Sequence, residues 1–143
     1  ILGDRSSIEQ YNPGLWQKVM HVNLTAPFVL TQALLPYLKI SKHPSIIFTS
    51  SGVGQVGKAF WGAYCVSKFG TEALSQILCE ELRHTAIRVN CVNPGAVKTK
   101  MRLAAYPAEN RDKLKSPEEI LSPYLFLMSN ESIGVSGKCL QAQ

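Results

Sequence analysis

Apolar positions along the chain fall into long blocks with a repeat of three to four residues, separated by short β-rich segments. The first long block opens at Asn12-Pro13 and carries Trp16, Val19, Met20, Leu24, Pro27, Phe28, Leu30, Thr31 and Leu34 at helical spacing as far as Leu38. It predicts one helix over Leu15–Leu38, kinked at Pro27. Ser45–Ser50 (Ser-Ile-Ile-Phe-Thr-Ser) is short, β-rich and preceded by Pro44, which predicts a buried strand. A glycine-containing loop follows, through Gly57. Tyr64–Arg83 then reads as an uninterrupted helix with Phe69, Ala73, Leu74, Ile77, Leu78 and Leu82 on one stripe and Gly70 as its weak point. A second strand, Ile87–Val92, is stopped by Asn93-Pro94-Gly95. Beyond a long basic loop, Ser116-Pro117-Glu118-Glu119 predicts a helix start with Ser116 as cap and acids in the first turn. Lys138–Gln141 is the last predicted strand.

Helices alternating with strands predict an α/β fold with a parallel sheet. With 143 residues, 45% of them apolar and 17% charged, and no internal repeat, the chain is expected to form one domain. No apolar run of about 20 residues is present to span a bilayer, and the first residues lack a secretory pattern, so the expected location is the cytoplasm. Cys65, Cys79, Cys91 and Cys139 are widely spaced without a Cys-x-x-Cys pair, which argues for free thiols and against a metal site. The net charge of +5 gathers between Lys98 and Lys115. Without aromatic interleaving or a recognition-helix pattern, that segment reads as a solvated loop or a lid near an anionic cofactor rather than a nucleic-acid surface.

Gly52-Val53-Gly54-Gln55-Val56-Gly57 matches the G-x-G-x-x-G pattern of dinucleotide sites, and Glu72 lies about 20 residues on. That fingerprint needs a helix opening within the glycines and an acid at the end of the next strand. Here the helix is predicted to begin near Tyr64, Glu72 falls inside it, and the next strand ends without a carboxylate. The loop is therefore expected to shape a substrate site instead.

Tyr64 and Lys68, four residues apart, share one helix face. A tyrosine ionises near pH 10, and a neighbouring ammonium lowers that value by stabilising the phenolate. Ser51 follows the first strand at the carboxyl edge of the predicted sheet, where it could hold a substrate oxygen against the phenol.

Asn23, Ser51, Tyr64, Lys68, Pro94-Gly95 and Thr99 occur in an order and at separations that resemble the short-chain dehydrogenase/reductase family. The approach Trp61-Gly62-Ala63-Tyr64 is most similar to a bacterial subgroup of uncharacterised oxidoreductases in that family. The resemblance implies the C-terminal part of a Rossmann-like doubly wound parallel sheet, three parallel strands with flanking helices, whose residues 1–143 form the catalytic portion. The cofactor-binding half with its glycine-rich turn would precede it. It implies hydride transfer between NADP, or alternatively NAD, and a carbonyl or secondary alcohol. In that scheme Tyr64 is the general acid/base, Ser51 polarises the substrate oxygen, Lys68 binds the nicotinamide ribose and lowers the tyrosine pKa, and Asn23 holds a relay water. Pro94, Gly95, Val97 and Thr99 would line the nicotinamide, and no metal is implied. A homodimer through the two long helices is expected, while the ending Leu140-Gln141-Ala142-Gln143 departs from the family's and puts a tetramer contact in question. The competing expectation is a truncated, catalytically silent fragment that serves only in association.

Overall fold

The computed structural model describes residues Ile1–Gln143. Strands β1 (Ser45–Thr49), β2 (Arg88–Asn93) and β3 (Cys139–Gln141) form one parallel sheet in that spatial order. Ser45 lies opposite Arg88 at one end of β1 and Thr49 opposite Val92 at the other, while Cys91 to Asn93 face Cys139 to Gln141. β2 is buried along nearly its whole length, its polar Arg88 and Asn90 bonding the Ser129 and Val135 carbonyls, and the outer edge of β1 has no strand beside it. No helix is long and apolar enough to cross a membrane.

The first predicted helix is one continuous helical run with a π-turn inside it, where Met20, Thr25 and Ala26 keep helical backbone angles. Asn12 caps α1 (Pro13–Met20) by accepting from Leu15 N at 2.9 Å, a π-turn spans His21–Thr25, and α2 runs over Ala26–Ile40. Pro27 follows directly on the π-turn, whose wider winding accommodates the proline where a kink is expected. α3 (Gly62–Glu81) crosses over to β2 and packs Leu78 and Leu82 on Phe48, Val89 and Cys91, the main core cluster.

The buried face of α3 corrects the expected stripe. Ala63, Cys65, Ser67, Thr71, Glu72 and Ser75 are buried with Leu78, whereas Phe69 and Ile77 are exposed. Small side chains win that face because the helix lies close against its neighbours: a Cβ on Gly70 would come within 2.5 Å of the Leu24 side chain. Gly70 is thus a packing requirement rather than a weak point.

The basic segment after β2 is more structured than a loop. It holds α4 (Lys100–Ala105), capped by Thr99, a 3-10 turn at Arg111–Lys113, and a backbone bridge between Val97 and Lys115. The helix expected at Ser116 begins later, with a 3-10 turn over Glu118–Ile120 before α5 (Ser122–Met128). Pro123 explains the delay, since it is welcome in the first turn of α5 but would break a helix already running from Pro117.

Candidate active site

The carboxyl ends of β1 and β2 and the first two turns of α3 meet at one cavity of about 470 Å³. Ser51, Tyr64, Lys68, Pro94, Gly95, Val97 and Thr99 all line it. Position along α3 follows from Gly62 and Ala63, which have no bulk to hold the helix off α1. A Cβ on Gly62 would meet the Tyr11 ring at 2.9 Å, and Ala63 is fully buried beside Tyr11 and Val19. The next residue, Tyr64, is thereby turned into the cavity.

Burial raises the Tyr64 pKa above its ordinary value, and a hydrogen bond with Ser51 offsets part of the rise. The expected lowering by Lys68 is not the outcome here. The ammonium lies 5.7 Å from the Tyr64 ring centroid and donates instead to the Thr49 carbonyl oxygen at 2.8 Å. Burial also pushes Lys68 below its ordinary value. The phenol therefore holds its proton at neutral pH, the state a proton donor needs.

Asn23 stands apart from this cavity. It occupies the π-turn and opens on a second cavity, about 480 Å³, between α2 and the outer edge of β1; Lys68 and Thr49 line both spaces. Its side chain is already engaged, accepting from the Ile1 backbone nitrogen at 2.6 Å and donating to the Ile1 carbonyl at 2.8 Å and to Ser67 Oγ at 3.1 Å.

On the far wall Gly95 adopts φ 71°, which favours glycine and lets the backbone turn sharply after β2. Asn93 Oδ1 accepts from Gly95 N at 3.1 Å, and Gln143 Nε2 donates to the carbonyls of Pro94 and Ala96. Thr99 Oγ1 accepts from Arg102 N at 3.1 Å, so its hydroxyl proton stays available to the cavity.

The loops Gly52–Trp61 and Lys100–Lys115, where the sequence places a substrate pocket, both reach this cavity, and Tyr124 joins them from α5. Trp61, Met101, Arg102, Ala105 and Tyr124 line the cavity, and Arg102 Nε donates to Glu109 at 2.6 Å. Behind them Arg5 stacks on Trp61 at 4.7 Å and on Tyr106 at 5.0 Å, and bonds the Ala105 carbonyl. Lys58 donates to the Tyr106 hydroxyl at 3.0 Å. These contacts join three segments far apart in sequence, and only the concentration of charge after Lys98 hinted at them.

Gly52–Gly54 form a 3-10 turn, and α3 starts only at Gly62, so the glycine pattern carries no helix N-terminus to receive a pyrophosphate. Gly54 serves close packing: a Cβ there would lie 2.9 Å from Ser50 Oγ and 3.0 Å from the Lys68 carbonyl oxygen.

The family model for short chain dehydrogenases matches residues 2–110. The uncharacterized oxidoreductase YciK of Escherichia coli strain K12 is 48% identical over 143 residues, which are 100% of this chain and 56% of that protein. A short chain dehydrogenase structure from Salmonella enterica serovar Typhi superposes with TM-score 0.97 at 47% identity, covering 100% of this chain and 59% of that one. A structure from Escherichia coli CFT073 complexed with NADPH gives TM-score 0.96 at 48% identity, again over 100% of this chain and 59% of the other. The chain thus spans somewhat more than half the length of the relatives that it matches.

Proposed function

Because the chain belongs to the short-chain dehydrogenase family, we propose that it supplies the catalytic portion of an NADP-dependent oxidoreductase that interconverts a carbonyl compound and a secondary alcohol. The observation that carries this reading is the convergence of Ser51, Tyr64 and Lys68 on one cavity whose opposite wall is Pro94 to Thr99.

The residues present fit a nicotinamide nucleotide. Lys68 spends one of its three N–H donors on Thr49 and keeps two for ribose hydroxyls. Val97 backbone groups and the Thr99 hydroxyl are suited to a carboxamide. When bound, the nucleotide supplies or accepts hydride; NADP is favoured by the NADPH complex of a relative 48% identical, with NAD as the alternative. In the reductive direction Tyr64 donates its phenolic proton to the substrate oxygen, which becomes the alcohol hydroxyl. Ser51 donates a hydrogen bond to the same oxygen and stabilises the charge that develops there. Lys68 returns positive charge toward the phenolate left behind. Asn23, bound to Ser67 one residue before Lys68, steadies that turn of α3, and the relay water assigned to it belongs to the same proposal.

We extend the proposal to a homodimer or homotetramer in the cytoplasm, with residues 1–143 as part of one Rossmann-type domain. The second reading, an association module without turnover, is supported by the exposed apolar side chains of α2. NADPH oxidation by the intact protein, measured over a panel of small aldehydes, α-dicarbonyls and β-keto esters, separates the two. Turnover with at least one carbonyl, abolished by Tyr64→Phe while NADPH still quenches protein fluorescence, is the expected result. Turnover within about tenfold of wild type in Tyr64→Phe removes Tyr64 from the mechanism.

A further inference from the structure

Three consecutive residues at the end of β1 each meet a different residue of α3. The Thr49 carbonyl accepts from Lys68, Ser51 lines the cavity with Tyr64, and Ser50 Oγ donates to the Glu72 carboxylate. Tyr64, Lys68 and Glu72 are four residues apart in series, so they form one ladder on a single helix face. Two rungs belong to the proposed chemistry. The third is a buried carboxylate, 8% exposed, that faces no cation. Its Oε1 also accepts from Cys139 Sγ at 3.3 Å and from Gln55 Nε2 at 3.5 Å. One oxygen therefore ties the end of β1 to β3 and to the loop that follows β1.

A carboxylate with no ammonium or guanidinium partner is an expensive way to fill space under a sheet. An apolar side chain of similar size would serve stability at least as well if holding the core were the only task. What it provides is a fixed point for Ser50, whose neighbour Thr49 binds Lys68 and whose neighbour Ser51 shares the cavity with Tyr64. Gly54 completes the arrangement, because its lack of a Cβ lets the loop close down on Ser50 Oγ and the Lys68 carbonyl.

We propose that Glu72 is a positioning residue for the reaction, acting through Ser50 to set Ser51 and the Thr49 carbonyl against Tyr64 and Lys68. The inference rests on the oxidoreductase reading given above. It concerns placement of the reacting groups and not binding, so its signature is a loss in kcat at nearly constant KM.

The test uses the intact enzyme with NADPH and the best carbonyl of the panel. Glu72→Leu removes the acceptor, Ser50→Ala removes the donor, and Glu72→Gln keeps an amide oxygen in place of the carboxylate. A misplacement of about 1 Å is worth on the order of 100-fold in rate, so Glu72→Leu and Ser50→Ala are each expected to lower kcat about 10- to 100-fold with KM values held within about threefold. The double variant should be no worse than Glu72→Leu alone, because that change already cuts the bond to Ser50. Glu72→Gln should recover to within about fivefold of wild type. A Glu72→Leu enzyme within about threefold of wild-type kcat, strictly additive effects, or a Glu72→Gln enzyme no better than Glu72→Leu would each overturn the proposal. If Glu72→Leu does not fold, Ser50→Ala and Glu72→Gln decide: support requires the former to lose kcat and the latter to retain it. Tyr64→Phe run alongside isolates the premise, since undiminished turnover there refutes the oxidoreductase mechanism itself. In that event, or with no turnover at all, amide exchange across residues 49–55 decides the matter: faster exchange in Ser50→Ala at unchanged melting temperature supports the clamp, and unchanged exchange refutes it.

Discussion

Lys68 Nζ donates to the carbonyl oxygen of Thr49 across 2.8 Å, linking α3 to the last residue of β1 at the floor of the cavity. The bond fixes where the ammonium sits before any ligand arrives. A point charge with three donors can keep this bond and still reach outward, so one lysine serves both the fold and the site.

Replacement of Lys68 by arginine is therefore not conservative. A planar guanidinium carries its donors in a rigid fork and cannot place a single nitrogen between the Thr49 carbonyl and a ribose. Lys68→Arg is expected to lower kcat about 10- to 100-fold and to weaken NADPH binding. Fluorescence titration with NADPH and steady-state kinetics check it, and wild-type values for both would mean that Lys68 merely lines the wall.

The pH dependence follows from Tyr64. Burial raises its pKa and the Ser51 hydrogen bond lowers it, so carbonyl reduction, which needs the protonated phenol, should be insensitive to pH near neutrality. The rate should fall only as pH climbs through a value above the usual tyrosine figure of about 10. Alcohol oxidation, which needs the phenolate, should rise over the same interval. Ser51→Ala removes the interaction that favours phenolate and should move the reductive limb to still higher pH. A limb that moves to lower pH in Ser51→Ala contradicts the assignment.

Most of the frame could be read from periodicity alone. Phe48 and Val89 sit in apolar runs too short for helices, and Asn12-Pro13 announces α1 with a cap and a proline where each is useful. The buried face of α3 could not be read that way. Hydrophobicity picks out Phe69 and Ile77, yet the helix approaches its neighbours too closely for such residues, and Ser67, Thr71 and Ser75 take the interior. Ser51, Tyr64 and Lys68 were legible through the spacing that resembles the family's, and the structure places all three on one cavity. Arg5, Trp61 and Tyr106 were not, since their stacking depends on tertiary closure of distant segments. Glu72 had a visible signal, the same four-residue step that joins Tyr64 to Lys68, and it was masked by the glycine pattern nearby.

That glycine pattern yields a contrast between two of its members. An alanine Cβ at Gly54 would press on Ser50 Oγ and the Lys68 backbone, whereas at Gly57 nothing lies within 4 Å. Gly54→Ala is expected to destabilise by about 1–3 kcal/mol, as overpacking does. Gly57→Ala should change stability by no more than about 0.5 kcal/mol. Chemical denaturation of both variants checks this, and equal stabilities would rule out the close approach at Gly54.

Cys139 gives a chemical readout of the same region. Burial, reinforced by its hydrogen bond and charge repulsion with Glu72, pushes its thiol up to about 12. At pH 8.5 an ordinary cysteine is about half thiolate and reacts readily, while Cys139 remains protonated. Iodoacetamide at that pH should leave Cys139 unmodified in the folded protein and label it after denaturation, as peptide mass spectrometry would reveal. Glu72→Gln removes the carboxylate charge and should increase its labelling. Rapid modification of Cys139 in the native protein would contradict this picture.

The last prediction concerns association. Along α2, Phe28 and Ile40 are 46% and 84% exposed, and α3 adds Phe69 and Ile77 at 41% and 54%, whereas Leu30 and Leu34 line the cavity beside the open edge of β1. Scattered apolar residues at a surface are ordinary, but so many on two helices are what an interface between copies uses. Each side chain of this size gains roughly 1.5–3 kcal/mol when fully covered, so a few of them suffice to drive dimerisation at micromolar concentration. Sedimentation of the intact protein should therefore give a species heavier than one chain. A charge placed on that face has no partner there and must be desolvated, so Phe28→Glu should shift the equilibrium to monomer while leaving the Ser51, Tyr64 and Lys68 cavity intact. Should the wild type sediment as a monomer, or should Phe28→Glu leave a dimer unchanged, then α2 is not the contact and the homodimer proposed through this face is wrong.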